Sequence, residues 1–587
     1  MAAAQITPTS AGRASTNSIG AAGALGGLAL MWILPFLWSQ HWYPMASLYS
    51  ELVSASCLAL AILSCGLMKK AEAQLDWPFP VVMLALIAIV LVQQMIGMLA
   101  YSQLAVRFVL FAFAMLAAYV FGRQLVAAGL AREAVKVLSV ACVAGAMYSA
   151  FAQWLQLFDV EILPIWLANV YPSEAMRQRP FGNLGQSNHQ ATYLAMGGIA
   201  MLYLARVGHQ RWLTPVVLFP LATGLAMTGS RMATVFLLVL MLAQVAPSAL
   251  RQETGRARWL ACAALIGGYL FGVAAIRWVV GDFDTLTRAT QDTLPLRFEL
   301  WWQGWRVALQ HPWLGVGVGQ FGSGQYWVAR ASPFTVPANN CHNVILQLAA
   351  EFGWPAALAA ASVGLYWGAR KLRARLADPE QTLVWSMMLP IAIHSQLEFP
   401  LWHLFFAIPA SLLFALGEPA SAGWAKVDLR RVFPIAGIAI IGIVVAFGQG
   451  YVEVAQAAAP AWLESMHLRQ RNPLDALPIV ALADEKLFRP EVERLLLDLK
   501  HSPDEHTNGP LERSARLLHV LPAPEIMARY VVQLAEAGRI DEAIAHVGRL
   551  RVFAGPGYAG YRDSILEETR NLGPQTAPLR HALREPR

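Results

Sequence analysis

Thirteen apolar runs fill most of the chain between residues 19 and 447. They cover 19–38, 46–68, 78–100, 105–126, 135–158, 189–205, 212–228, 232–246, 260–280, 352–368, 382–396, 401–416 and 432–447. A helix needs about 20 apolar residues to cross a bilayer. Several runs are shorter, so the pattern predicts about 12–13 transmembrane helices. Of the 587 residues, 57% are hydrophobic and 14% charged, whereas a soluble domain carries about 25% charged residues. An ordinary soluble enzyme is excluded. The first run is too long for a signal-peptide core and more spans follow it, so it reads as a retained helix behind a disordered tail over 1–18.

Orientation follows from charge. With the N-terminus in the cytoplasm, the connections on that side collect 18 Lys and Arg, against nine on the other side before residue 450. Basic residues mark cytoplasmic loops, and an odd number of spans then leaves the C-terminal region outside. Two outer connections are long, 159–187 and 281–341, and long structureless loops are uncommon unless functional. Every inner connection is short and basic. The chemistry is therefore expected to face outward, and no GxxxxGK[ST] phosphate loop is present. The five Cys form no CxxC pair, so neither a disulfide framework nor a zinc knuckle is indicated. From 450 to 587 the composition becomes that of a soluble helical domain. Residues 532–546 read as helix, Gly turn, helix around Gly538, either a tetratricopeptide-like or a generic helical hairpin.

Four polar clusters interrupt the apolar pattern on the outer side. The first is Arg179-Pro-Phe-Gly-Asn-Leu-Gly-Gln-Ser-Asn-His-Gln190. Helix capping explains one of its side chains, not the group of Asn183, Gln186, Asn188, His189 and Gln190, which suits sugar hydroxyls or phosphate. The second, Thr228-Gly-Ser-Arg231, places a guanidinium between two apolar runs. Such an Arg either snorkels to the interface or binds an anion bidentately. The third begins with Arg297, either a phosphate ligand or the partner of Glu299. It continues as an amphipathic stretch whose Trp301, Trp302 and Trp305 are expected to lie on the membrane. A glycine-rich stretch, 312–322, follows as a weak phosphate-cradle signal. The segment ends at Asn339-Asn-Cys-His-Asn343. Histidine titrates near neutrality and can take a proton from a hydroxyl, so His342 is the expected base, with Cys341 as a rival nucleophile. The fourth cluster, His394-Ser-Gln-Leu-Glu-Phe-Pro-Leu-Trp-His403, holds a carboxylate between two apolar runs, functional by default. His394 and Glu398 are four apart, on one helix face. Asp282 and Asp284 form a D-x-D, too little for a metal site without further ligands.

These motifs together resemble the bacterial O-antigen ligase and polymerase superfamily, most of all its PglL/PilO-type O-linked protein oligosaccharyltransferases. The resemblance covers roughly residues 80–420, and the C-terminal domain is similar to the extra domain of the protein transferases. It implies a multi-pass enzyme of the bacterial inner membrane, with active site and C-terminal domain in the periplasm. The implied donor is a glycan on undecaprenyl pyrophosphate; the implied acceptor is a Ser or Thr of a pilin-like protein, or lipid A-core in a ligase. It also implies that His342 acts as the base, that Arg231 and Arg297 grip pyrophosphate, and that Gln186 is a site residue. Glu398 is assigned to catalysis. Asn183, Asn188, His189, Asn343 and His394 are assigned to substrate binding. A pre-activated donor needs no nucleotide, so no cofactor, no metal and no nucleic acid is expected. Where the family often carries Glu-Tyr-Pro, this chain has Glu398-Phe399-Pro400, so the phenol is absent or moved, to Tyr326 or Tyr171. A glycan polymerase is a further alternative within the resemblance. A transporter, which predicts inverted repeats and midplane charges, fits neither the sequence nor the one-sided clusters.

Overall fold

The structure is a computed structural model of the full chain. It describes all residues except 1–9, 42, 69–71, 165–166, 171–173, 209–210, 246–253, 282–292, 374–377, 419–424, 466–475, 483–484, 498–508 and 586–587. Among the described residues the protein is an all-α polytopic membrane protein. Seven stretches are long and apolar enough to cross a bilayer: 19–37, 48–65, 78–95, 102–127, 131–158, 255–280 and 432–460. Shorter apolar helices over Leu213–Met227, Arg231–Gln244 and Leu404–Gly417 join them.

In chain order the helices of the bundle are α1 (Ser10–Met31), α2 (Leu34–Leu37), α3 (Leu48–Cys65), α4 (Pro78–Met95), α5 (Ser102–Ala127), α6 (Ala131–Phe158), α7 (Glu174–Gln178), α8 (Ser187–Val207), α9 (Leu213–Met227), α10 (Arg231–Val245) and α11 (Gly255–Val280). Next come α12 (Thr293–Gln310), α13 (Phe321–Val328), α14 (Val344–Phe352), α15 (Trp354–Arg373), α16 (Pro379–Ser395), α17 (Leu404–Gly417) and α18 (Val432–Ser465). Helix α8 is buried along most of its length and packs against α6, α9, α10 and α16. Small residues set the closest approaches. A side chain at Gly268 of α11 would meet Phe219 O of α9 at 2.3 Å, the kind of contact that joins helices where lipid supplies no hydrophobic drive.

Among the described residues the connections gather at two ends of the bundle. At one end β1 (Ala73–Leu75) and β2 (Ala425–Val427) form an antiparallel strand pair, with Lys426 opposite Gln74. On that side the buried Arg123 donates to Gln74 O at 2.7 Å and Glu418 O at 3.0 Å, and Arg370 pairs with Asp76 at 3.0 Å. We term this the basic face. The long connections, the polar clusters and the C-terminal helices all gather at the opposite face.

Helix α18 runs on past residue 449 to Ser465 and leads to α19 (Ala476–Ala481), α20 (Arg489–Leu497), α21 (Gly509–Val520), α22 (Pro524–Glu536), α23 (Ile540–Ala554), α24 (Tyr558–Glu568) and α25 (Ala577–Arg584). α22 and α23 form the hairpin. Gly538 turns it at φ +73°, and Arg539 N closes back on Leu534 O at 2.8 Å, a Schellman-type stop. Two carboxylates fasten this region to the start of α5. Glu491 accepts both terminal nitrogens of Arg107 at 2.7 Å. The buried Glu493 accepts Tyr101 Oη and Arg516 Nη2, each at 2.6 Å.

Helix α12 departs in part from its expected role. It buries Leu300, Gln303, Gly304, Val307 and Ala308, its small-residue face. Phe298, Trp305 and Leu309 form an exposed apolar stripe. The three tryptophans do not share one face. Trp301 donates to His342 O at 3.3 Å, Trp302 takes the Arg330 guanidinium over its ring at 4.2 Å, and Trp305 packs edge-on to Trp354. The glycine-rich stretch is no phosphate cradle. Gly315 (φ +66°) lets the loop press on the α14 backbone, where an added Cβ would lie 2.2 Å from Glu351 C. Gln93 ties it down through Leu314 O at 2.7 Å and Val318 N at 3.1 Å.

Candidate active site

The centre of the site is the Glu398 carboxylate. Helix α16 stops at Ser395, and Pro400 keeps it from resuming, since Phe399 before it leaves helical geometry. Glu398 N still donates to His394 O at 2.8 Å, but the two side chains part. The Glu398 carboxylate turns to the outer cluster, while His394, fully buried, has its Nδ1 2.8 Å from Thr192 Oγ1. The expectation that they share one face is thus corrected: the helix ends between them.

Three other segments converge on Glu398. Arg297 Nη2 donates to Oε1 at 2.9 Å. Asn188 Nδ2 donates to the same oxygen at 3.2 Å, and Asn188 Oδ1 accepts Ser230 Oγ at 2.7 Å. His342 Nδ1 lies 2.8 Å from Oε2, off the hydrogen-bond axis. Burial works to raise the carboxyl, but His342 and Arg297 outweigh it and hold Glu398 well below the usual carboxylate range. It is therefore an anion against its two partners. His342 Nδ1 is turned to the carboxylate, its Nε2 makes no hydrogen bond among the described residues, and 26% of its side chain is exposed. Its backbone sits at φ +57°, a region that costs a non-glycine residue about 1–3 kcal/mol and concentrates at functional sites.

The two expected phosphate ligands are not equivalent. Arg297 is paired with Glu398, and Glu299 instead takes Arg330 at 3.0 Å. Arg231, the first residue of α10, has no partner: both terminal nitrogens are shielded from solvent and make no hydrogen bond among the described residues. Its guanidinium lies within electrostatic reach of Arg297. Two guanidinium groups this close, one of them without a carboxylate beside it, have the chemistry to hold an anion bidentately. Arg179 is a third member that sequence reasoning passed over. It donates to Thr228 O at 3.3 Å and lies within reach of Arg297 and Glu398. It heads the first motif, ahead of the amides of Asn183, Gln186 and Asn188.

The remaining candidates divide. Gln186 is half-buried at the start of α8 with no side-chain hydrogen bond among the described residues, so its amide is available. Asn343 caps α14, accepting Ile345 N and Leu346 N at 3.1 Å each, and donates to Gln396 Oε1 at 3.2 Å. His189 is buried among rings, its centroid 4.9 Å from that of His403 and 5.4 Å from that of His394. Asn183 does not join the cluster. It is fully buried, and its amide is spent on Leu37 O (2.8 Å), Leu167 O (2.6 Å) and Asn169 N (3.2 Å). Cys341 is also fully buried, and burial pushes its thiol up to about 12, against a thiolate nucleophile. Phe399 lies edge-on to His342 at 5.3 Å, filling space rather than donating. Tyr326 is turned to His546 and Arg549 of the C-terminal region, and Tyr171 lies outside the described residues, as do Asp282 and Asp284. Among the described residues no three His, Cys, Asp or Glu side chains group as a metal site.

Fold and cluster define a class: a polytopic helical membrane protein with a His–carboxylate–guanidinium site at one membrane face. Residues 216–361 match the family described as O-antigen ligase, residues 180–205 that described as protein glycosylation ligase, and residues 382–559 that described as virulence factor membrane-bound polymerase, C-terminal. A protein of Acinetobacter baylyi named general O-oligosaccharyltransferase is 25% identical over 314 residues, 50% of this chain and 53% of that protein. The chain thus spans about half the length of that curated relative. No solved structure matches the chain. The chain is thus similar to O-antigen ligases and PglL-type protein glycosylation ligases over parts of its length.

Proposed function

We propose that the protein is a membrane glycosyltransferase that moves a preassembled glycan from undecaprenyl pyrophosphate to a Ser or Thr hydroxyl of an acceptor protein. One observation carries the reading: Glu398 gathers His342, Arg297 and Asn188 from three separate segments, with the unpaired Arg231 alongside. His342 Nε2 accepts the proton of the acceptor hydroxyl, and Glu398 steadies the imidazolium that forms, the logic of a base oriented by a carboxylate. The acceptor oxygen bonds to the anomeric carbon. The bond from that carbon to the pyrophosphate oxygen breaks, its electron pair leaving with the pyrophosphate. Arg231 and Arg297 neutralise the charge that develops there.

The site face is periplasmic in this reading, because the opposite face carries the basic connections and the lipid-linked donor is displayed on that leaflet. The matches to O-antigen ligase and to a membrane-bound polymerase favour a second reading, transfer to lipid A-core or to a growing lipid-linked glycan. The resemblance of the C-terminal helices to the extra domain of protein transferases supports a protein acceptor.

Reconstitution of the full chain in liposomes with a labelled glycan on undecaprenyl pyrophosphate separates these readings. A pilin-like protein, lipid A-core and a second lipid-linked glycan are offered together, in the presence of EDTA. Label on Ser or Thr of the protein is the expected result. Label on lipid A-core, or a longer lipid-linked chain, replaces the acceptor assignment. Activity that is lost with EDTA and returns with a divalent ion overturns the metal-free step.

A further inference from the structure

His342 is held in a backbone conformation that an L-residue resists, φ +57°. The restraint comes from behind it. The amide of Cys341 donates to Gln347 Oε1 at 2.7 Å, and that of His342 to Asn340 Oδ1 at 3.2 Å. Gln347 is buried, one turn into α14, and Asn343 caps the same helix. One turn further on, Glu351 is 1% exposed. Its carboxyl faces the Gln347 side chain and the amides of Gly319 and Phe321. Neither its two oxygens nor Gln347 Nε2 makes a well-formed hydrogen bond. Burial pushes the Glu351 carboxyl up to about 8, so it is mostly protonated and neutral at pH 7. The Gly315 loop packs directly on the Glu351 backbone, which fixes this turn of α14 against the glycine-rich stretch.

Buried polar groups of this kind are costly, and neither Gln347 nor Glu351 reaches the Glu398 cluster. We propose that Gln347 and Glu351 are positioning residues: Glu351 supports the Gln347 amide, which fixes the Cys341–His342 backbone so that the imidazole faces Glu398. The inference rests on His342 being the base. Misplacement of a reacting group by about 1 Å costs up to about 100-fold in rate, so a soft attachment lowers kcat and leaves donor binding, which belongs to the arginines, intact.

The test measures kcat and donor KM for glycan transfer by the full-length protein in membranes. Gln347→Leu is expected to lower kcat by about tenfold or more with KM within about twofold. Glu351→Gln keeps shape and neutrality and stays close to wild type, whereas Glu351→Leu falls with Gln347→Leu. In a His342→Ala background Gln347→Leu adds less than about twofold, because the two act as one unit. The proposal is overturned if Gln347→Leu lowers the His342→Ala residual rate by its full factor, if it raises KM with kcat unchanged, or if Glu351→Gln is as damaging as Glu351→Leu. Should Gln347→Leu not insert, Gln347→Asn, too short to reach the Cys341 amide, is judged by the same criteria. A fully active His342→Ala removes the base itself. A fully active Gln347→Leu beside an inactive His342→Ala removes only the positioning role.

Discussion

His342→Ala is expected to lower turnover by roughly 10²–10⁴ in protein that still inserts and folds. The ring is partly exposed, and its partner Glu398 keeps Arg297 and Asn188 when the imidazole is gone, so the loss is chemical rather than structural. Donor KM changes little, because the pyrophosphate is held by guanidinium groups. Cys341→Ser remains active, since the thiol is fully buried and driven away from its thiolate form. Transfer assays with purified variants, backed by a folding check on each, give the answer. An inactive Cys341→Ser beside an active His342→Ala would turn the mechanism over to a covalent glycosyl-enzyme.

Arg231→Ala is expected to cost about 10²–10³ in kcat/KM, the scale of losing one group that stabilises developing charge. Arg231→Lys rescues little, because an ammonium lacks the planar fork that holds two phosphate oxygens. Arg297→Ala differs in kind. It frees Glu398 from one of its cations, so it disturbs the carboxylate that orients His342 as well as the phosphate. Binding of a non-transferable lipid pyrophosphate analogue separates the two. Arg231→Ala loses affinity for the analogue, while Arg297→Ala loses more in rate than in affinity. Equal affinity of Arg231→Ala and wild type for the analogue contradicts an anion at the unpaired guanidinium.

The transmembrane fold was largely legible because each span declares itself locally. An apolar run of the right length has little choice but to be a helix in lipid, and two connections read as lying on one side do meet, residues 73–75 with 425–427, as β1 and β2. The neighbourhood of the site was legible too, since polar side chains at span ends stand out against an apolar background. Pairings within it were not. The sequence offers Glu299, two residues away, as a partner for Arg297, but its carboxylate lies 101 positions on, at Glu398. That choice depends on which helices pack together, which no local pattern encodes. Asn183 and Asn188 look alike in the motif. One is consumed by backbone carbonyls and the other reaches Glu398, a difference made by a loop folding over α6. The tryptophans of α12 misled for a similar reason. Helical periodicity fixes their directions, but the surroundings decide that Trp302 takes Arg330 rather than lipid.

The central claim is a direct displacement in which His342 deprotonates the acceptor and pyrophosphate leaves from the opposite side of the anomeric carbon. The most direct measurement is the anomeric configuration of the glycan–acceptor bond, read by NMR on product made from a donor of known configuration. The account predicts inversion. Retention, formed by two successive displacements through a glycosylated side chain, would contradict it.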